Sequence, residues 1–241
     1  MRILITGSEG VVGNVVVKTL EKDNHDLILL DKRAENSVDL LKDRLEDYFK
    51  DIETVLHFAA YPRAWISKEQ AHENFSMTWN VLEVCKKADV KRFIYASSLN
   101  VYDFEKIYLE GKRIDSSTPL FPHTQDNWSG GQKGGKFYGI SKILSEKLAE
   151  HYYHLFGMSV LNLRLGGIYE ENKPHDNESF EYATWLSHED FSEILRRAIH
   201  FKGLESVACA SANSEDFVDL KYLKKVLGYE PQSDSSRFKK D

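Results

Sequence analysis

Tyr138 and Lys142 stand four residues apart at the start of a helical stretch, so their side chains project from the same helix face. A phenol titrates near 10 and is a poor base at neutral pH, but an adjacent ammonium favours the phenolate. A downward shift of about three units corresponds to roughly 4 kcal/mol. Ser98 closes the apolar run Arg92-Phe93-Ile94-Tyr95-Ala96-Ser97-Ser98 and offers a hydroxyl to hold a substrate oxygen while Tyr138 takes its proton. The chemistry implied is proton abstraction from an alcohol. Tyrosine and lysine at helical spacing are commonplace on exposed helices, so the pair gains meaning only from its surroundings.

Those surroundings begin with MRILITGSEGVVGNVVVKTL at the start of the chain. Ile3-Leu4-Ile5 reads as a buried strand, Gly7, Gly10 and Gly13 as a tight turn, and Val11, Val12, Val15, Val16 and Leu20 as a helix at its own period. Glycine there lets main chain turn sharply and approach a ligand closely, and the helix N-terminus presents unpaired N–H groups. The segment Gly7, Ser8, Glu9, Gly10, Val11, Val12, Gly13 is therefore expected to cradle a pyrophosphate, although its Gly-x-x-Gly-x-x-Gly spacing differs from G-x-G-x-x-G. A second buried strand, Leu27-Ile28-Leu29-Leu30, ends at Asp31, where an acid reaches the ribose hydroxyls of a dinucleotide. Asp31 repels a 2′-phosphate, so NAD is expected over NADP, with Lys32 beside it also at the cofactor; Arg33 close behind softens that preference. With a nicotinamide as hydride acceptor, the Ser98, Tyr138, Lys142 group becomes an alcohol oxidation site.

Other segments position these residues. Residues 39–50 carry Leu40, Leu41, Leu45, Tyr48 and Phe49 and are expected to form a short amphipathic helix, with Asp39 and Leu40 meeting an adenine edge. A third strand over 54–60 contains His57, which reads as structural, and ends in Phe58, Ala59 and Ala60, where bulk would obstruct a ligand crossing the sheet's carboxyl edge. Helix 69–88 brings Asn74 to anchor a water linking Lys142 to solvent, and the strand from Arg92 brings Ala96 to the cofactor. Residues 99–136 break the pattern with Pro119, Pro122 and the run Gly130-Gly131-Gln132-Lys133-Gly134-Gly135; no strand precedes that run, and a lid is expected. Then follow helix 137–156 with Gly157 as its cap, strand 159–165, a loop over 170–181, a helix through 201 capped by Ser187, strand 207–210 and helix 221–228. Strands alternating with helices predict an α/β chain with a doubly wound parallel sheet and right-handed crossovers. Residues 1–165 are expected mainly to bind the dinucleotide and 166–241 the substrate, within one domain.

At 241 residues and a net charge of −6, with both signs interspersed, no basic stripe points to nucleic acid. The chain runs straight into its first strand, and no apolar run is long enough to span a bilayer, so a cytoplasmic protein without membrane contact is expected. Cys85 and Cys209 are too few for a disulfide framework or a metal cluster, and no metal is expected.

TGSEGVVG, Asp31, HFAA, Asn74, YASS, YGISK and RLGGIY, in this order, resemble the extended short-chain dehydrogenases/reductases. That resemblance implies a Rossmann-type doubly wound parallel sheet with a small C-terminal substrate-binding region. Within the family the chain looks most like uronate dehydrogenases, through YGISK, Ala183-Thr184-Trp185-Leu186-Ser187-His188, Ala210-Ser211-Ala212-Asn213 and Leu227-Gly228-Tyr229-Glu230-Pro231. It implies NAD-dependent oxidation of a sugar at its anomeric carbon to a lactone. Tyr138 would be the base, Ser98 its hydroxyl partner and Lys142 the modulator and ribose contact, with substrate near Ser98, Leu99, Asn100, Gly166 and Gly167. A homodimer through helices 69–88 and 137–156 is also implied.

Three positions depart from the uronate enzymes. Their carboxylate-binding arginine aligns with Phe180, their Ser-Asn-His becomes Ser98-Leu99-Asn100, and a substrate-binding serine becomes Gly167. A related aldose or sugar phosphate is thus equally open, with Arg63 or Arg113 as candidate anion contacts. Two rival readings remain. A nucleotide-sugar epimerase shares the Tyr-Lys pair, but only about seventy-five residues follow Arg164, and Leu99-Asn100 lacks the Asp-Glu pair of the dehydratases. A non-catalytic NAD-binding regulator could use the same fold, against which the intact Ser98, Tyr138 and Lys142 argue.

Overall fold

The apolar runs assemble side by side. The computed structural model describes residues 1–62, 66–122, 135–175 and 179–239. Strands β1 (Arg2–Thr6), β2 (Asp26–Leu30), β3 (Thr54–His57), β4 (Arg92–Ser98), β5 (Ser159–Leu165) and β6 (Leu204–Cys209) form one sheet in the order β2-β1-β3-β4-β5-β6. Every pairing is parallel. Because the chain leaves β1 to one side for β2 and returns on the other for β3, a crevice opens at their carboxyl ends, where doubly wound sheets bind ligands.

Helices α1 (Val11–Lys22), α2 (Lys68–Lys87), α3 (Phe104–Leu109), α4 (Gly135–Phe156), α5 (Ser179–Thr184), α6 (His188–Ala198) and α7 (Lys221–Leu227) complete the fold. Successive strand residues point to opposite faces. Ile3, Ile5, Leu56, Ile94 and Leu161 accordingly pack with Val16 and Leu20 of α1 and Phe191, Ile194 and Leu195 of α6. Leu4, Val55, Phe93, Tyr95 and Val160 pack with Val81, Leu82 and Cys85 of α2 and Ala149 and Tyr152 of α4. Burial on both faces explains why β1, β3, β4 and β5 read as apolar runs, whereas β2, expected to be buried, lies at the sheet edge with Leu29 exposed. Gly157 takes φ +70° and its N–H bonds the Tyr153 carbonyl at 2.9 Å, ending α4 as its position predicts.

Five local expectations change. Residues 39–50 form turns and a single 3-10 turn, Glu46–Phe49, rather than an amphipathic helix. The Asp39 carboxylate accepts the Leu41 N–H at 3.0 Å and the Asp43 carboxylate accepts the Asp39 N–H at 2.6 Å, local bonds that compete with a helix. Leu40, Leu45 and Phe49 are buried all the same, so their apolar pattern marks burial and not helical period. β3 stops at His57, leaving 58–60 as loop, and α6 stops at Ala198. The expected irregular stretch contains a 3-10 turn, Leu99–Val101, and α3, which packs Tyr108 edge-on to Phe217 at 5.3 Å. α5 begins inside the expected loop 170–181. The glycine run at 130–134, with the lid expected there, and Arg63 lie outside the described residues.

Candidate active site

The site is built on the carboxyl ends of the strands. Gly7 has φ +74°, and a Cβ there would stand 2.6 Å from the Ala59 nitrogen; at Gly13 it would stand 2.1 Å from the Gly7 carbonyl oxygen. No side chain fits at either position. The loop is held by Gly7 N–H to Leu30 O at 2.8 Å and Gly10 N–H to Gly7 O at 3.1 Å, and Gly10 starts α1. Ser8 is buried and its hydroxyl has no hydrogen-bond partner among the described residues, while Val11 is exposed. A buried polar atom left unpaired is costly unless a ligand supplies the partner. This orphaned hydroxyl, beside the first N–H groups of α1, fits the phosphates of a dinucleotide. Phe58 and Ala59 border the loop from the end of β3, their N–H groups bonding Thr6 O at 3.1 Å and Thr6 Oγ1 at 3.3 Å, and Ala60 follows partly exposed.

Asp31 ends the neighbouring strand and is 6% exposed. Its Oδ2 accepts the Glu9 N–H at 2.9 Å, which ties it to the glycine loop. Its Oδ1 accepts the Arg33 N–H at 2.8 Å, and the Arg33 guanidinium lies on both oxygens at 3.2 Å. Burial works to raise this carboxyl, but the Arg33 and Glu9 hydrogen bonds prevail and hold it below the usual carboxylate range. Lys32 pairs with Asp39 at 3.2 Å, and the Leu40 carbonyl takes the Asn80 side chain at 2.9 Å. Through these contacts residues 31–40 form a border beside the loop.

Ser98, Tyr138 and Lys142 come together under this crevice, all buried. The Ser98 hydroxyl stands beside the Tyr138 phenol and acts to hold its proton affinity down. Ser98 Oγ also accepts from Asn100, from its side-chain amide at 3.0 Å and its backbone N–H at 3.2 Å. Lys142 donates from Nζ to the Ala96 carbonyl at 2.7 Å, with its ammonium 4.8 Å from the Tyr95 ring centre and 5.4 Å from that of Tyr138. The lowered phenol expected from Lys142 is not what the chain alone gives. Burial pushes Tyr138 up to about 12 against the influence of the Ser98 hydroxyl, and burial pulls Lys142 down to about 7 against the charge of Glu146. Desolvation outweighs the neighbouring charge in both.

The other sequence-derived positions are distributed as follows. Asn74 is buried, and both polar atoms of its amide hold the Tyr61 backbone, accepting its N–H at 2.7 Å and donating to its carbonyl at 3.2 Å. His57 bridges Thr6 at 2.7 Å and Thr78 at 3.1 Å; burial, with the charge of Lys142, drives it down to about 3, so it is neutral. Leu99 is buried among Val101, Ala183 and Ala210. Gly166 and Gly167 lie against Thr184 and Tyr169, where a Cβ would stand 1.9 Å from Thr184 O and 2.6 Å from the Tyr169 hydroxyl, respectively. Phe180 packs on Phe104 with ring centres 5.7 Å apart, and Arg113 is paired with Asp216 at 2.6 Å. Sequence reasoning missed the bond of Asn100 to Ser98 and the pairing of the buried Glu146 with the partly buried Arg164. Glu146 follows Lys142 by one helical turn, a spacing that was legible.

A glycine-cornered loop at a helix N-terminus, an acid at the end of the next strand and a buried Ser, Tyr and Lys group define a dinucleotide-dependent enzyme class of the doubly wound fold. The family model described as "NAD dependent epimerase/dehydratase family" matches residues 3–186, and the chain belongs to that family. An L-arabinose 1-dehydrogenase (NAD(P)(+)) of Haloferax volcanii is 28% identical over 98% of each chain. A uronate dehydrogenase of Pseudomonas syringae pv. tomato is 28% identical over 99% of this chain and 84% of its own. A solved structure of a mutated uronate dehydrogenase superposes with a TM-score of 0.81 at 28% identity, covering 98% of this chain and 83% of that one.

Proposed function

We propose that this chain is an NAD-dependent sugar dehydrogenase that oxidises the anomeric carbon of a free sugar to a lactone. The observation that carries the reading is the burial of Ser98, Tyr138 and Lys142 together at the carboxyl end of β4, with the Lys142 ammonium 5.4 Å from the Tyr138 ring centre, beside a loop that fits a dinucleotide. Full-length similarity to an arabinose dehydrogenase and a uronate dehydrogenase supports a sugar as substrate.

In this reading the loop from Gly7 to Gly13 holds the pyrophosphate, Asp31 and Lys32 the adenosine ribose, Asp39 and Leu40 the adenine side, and Phe58, Ala59, Ala60, Asn74 and Ala96 the crevice wall. NAD supplies the hydride acceptor when bound. Ser98 holds the anomeric hydroxyl, Tyr138 takes its proton at the phenol oxygen, and C1 loses its hydride as the C1–O double bond of the lactone forms. Lys142 supports the phenolate and holds the carbonyl of Ala96, fixing α4 against β4. Residues 1–165 serve mainly the cofactor and 166–241 mainly the substrate.

The substrate side favours no single sugar class. Phe180 is apolar and packed on Phe104, and Arg113 is already paired, so neither offers a free cation to a carboxylate or phosphate. Neutral aldoses, uronates and sugar phosphates are therefore separate arms of the test, with reduced cofactor followed by absorbance. If wild type oxidises none of them, the reading fails.

We further propose a cytoplasmic homodimer. Its support is a stripe of exposed apolar side chains, Phe137, Ile140 and Leu144 on α4, with Trp79 exposed on the α2 helix packed beside it. Light scattering should give twice the chain mass for wild type and the chain mass for Ile140→Glu with Leu144→Glu; monomeric wild type refutes the dimer.

A further inference from the structure

Glu146 lies one turn beyond Lys142 on α4 and is 2% exposed. Arg164 on β5 grips its carboxylate with two parallel bonds, Nε to Oε1 at 3.0 Å and Nη2 to Oε2 at 2.8 Å. The remaining Arg164 nitrogen, Nη1, donates to the Tyr102 hydroxyl at 2.7 Å. Ser97, the residue before Ser98, gives its own hydroxyl to Glu146. One carboxylate thus joins α4, β4 and β5 directly behind Ser98, Tyr138 and Lys142.

Holding three elements together does not require charge. A buried ion pair is often no more stabilising than apolar groups of the same shape, because desolvation offsets the attraction. This pair is distinguished by its place next to a buried ammonium. Lys142 is faced on α4 by Tyr138 and Glu146, from β4 by Tyr95 and the Ala96 carbonyl, from β3 by His57, and from β5 by Arg164 behind Glu146. Burial keeps His57 neutral and Tyr95 protonated. Among the described residues, Glu146 is the anion that acts on Lys142.

We propose that Glu146, held by Arg164, is a positioning residue that raises the proton affinity of Lys142 beside Tyr138, so that this ion pair sets the pH at which the Lys142 and Tyr138 pair gives up its proton and Tyr138 begins to work as the base. The proposal rests on the dehydrogenase reading above. Its signs follow from charge alone. Neutralising Glu146 leaves Arg164 unbalanced and lowers the proton affinity of the Lys142 ammonium and the Tyr138 phenol alike. Neutralising Arg164 leaves Glu146 unbalanced and does the reverse. Removing both charges restores the balance.

The test is the pH profile of kcat/KM for wild type, Glu146→Gln, Arg164→Gln and the double variant, with NAD and a sugar that wild type oxidises, alongside thermal melts. The acid limb should move down by about one pH unit in Glu146→Gln, up by about one in Arg164→Gln, and lie near wild type in the double variant. If one single variant does not fold, the other measured against the double variant gives the same sign test. Rates lowered by one factor at all pH values, or single variants shifted in the same direction, overturn the proposal and leave a structural tie only. A wild type inactive on all sugars overturns the dehydrogenase reading instead.

Discussion

Asn100 donates its side-chain amide to the Ser98 hydroxyl oxygen at 3.0 Å and its backbone N–H to the same atom at 3.2 Å. With its oxygen accepting two bonds, Ser98 has its own proton free to give, and Tyr138 is its neighbour. Asn100 therefore aims Ser98 as a donor, the role it needs toward a developing phenolate or a substrate oxygen. Asn100→Ala should lower kcat five- to tenfold, about the worth of one hydrogen bond, with NAD affinity unchanged. Steady-state kinetics with calorimetric NAD titration checks this; an unchanged kcat removes Asn100 from the account.

Asp31 is covered by the Arg33 guanidinium at 3.2 Å and by the Glu9 N–H at 2.9 Å. An anion at this point should favour a ribose over a ribose 2′-phosphate. Asp31→Ala should weaken NAD binding about tenfold and narrow the gap between NAD and NADP, while Arg33→Ala should weaken NADP more than NAD. Binding constants for both nucleotides decide it, and unaltered selectivity in Asp31→Ala contradicts the assignment.

Lys142 carries a stability cost with a defined pH window. Burial lowers it from 10.5 in the unfolded chain to about 7, so between those values the unfolded chain binds a proton that the folded chain does not. Stability then rises with pH across the window, and the full cost stands below about 7. Lys142→Met should be inactive yet melt higher than wild type at pH 6, with the gap narrowing as pH approaches 9. A gap that stays constant with pH means that Lys142 does not titrate in this range.

The sheet was legible because its central strands are buried on both faces, which leaves uninterrupted apolar runs such as Ile3-Leu4-Ile5 and Thr54-Val55-Leu56. The glycine loop, Asp31 and the Tyr138, Lys142 spacing were legible because each is a local pattern with a chemical reason. Residues 39–50 misled because Leu40, Leu45 and Phe49 are buried by turns, and apolar spacing alone does not separate a turn from a helix. Helices α3 and α5 are six residues each, too short to show a period. The bond between Glu146 and Arg164 joins residues 18 apart in sequence and the bond of Arg164 to Tyr102 spans 62, contacts that only the fold creates. The state of the phenol was misjudged because desolvation depends on burial, which the order of residues does not state.

The central claim is that Tyr138 takes the proton of a sugar whose hydride passes to NAD. The direct measurement is absorbance of reduced cofactor when wild type and Tyr138→Phe are mixed with NAD and a panel of neutral aldoses, uronates and sugar phosphates. The account predicts at least one sugar oxidised by wild type, with lactone as product and a rate at least a thousandfold lower in Tyr138→Phe, on the order of 4 kcal/mol of lost transition-state stabilisation. No turnover by wild type on any sugar, or equal turnover by Tyr138→Phe, would contradict it.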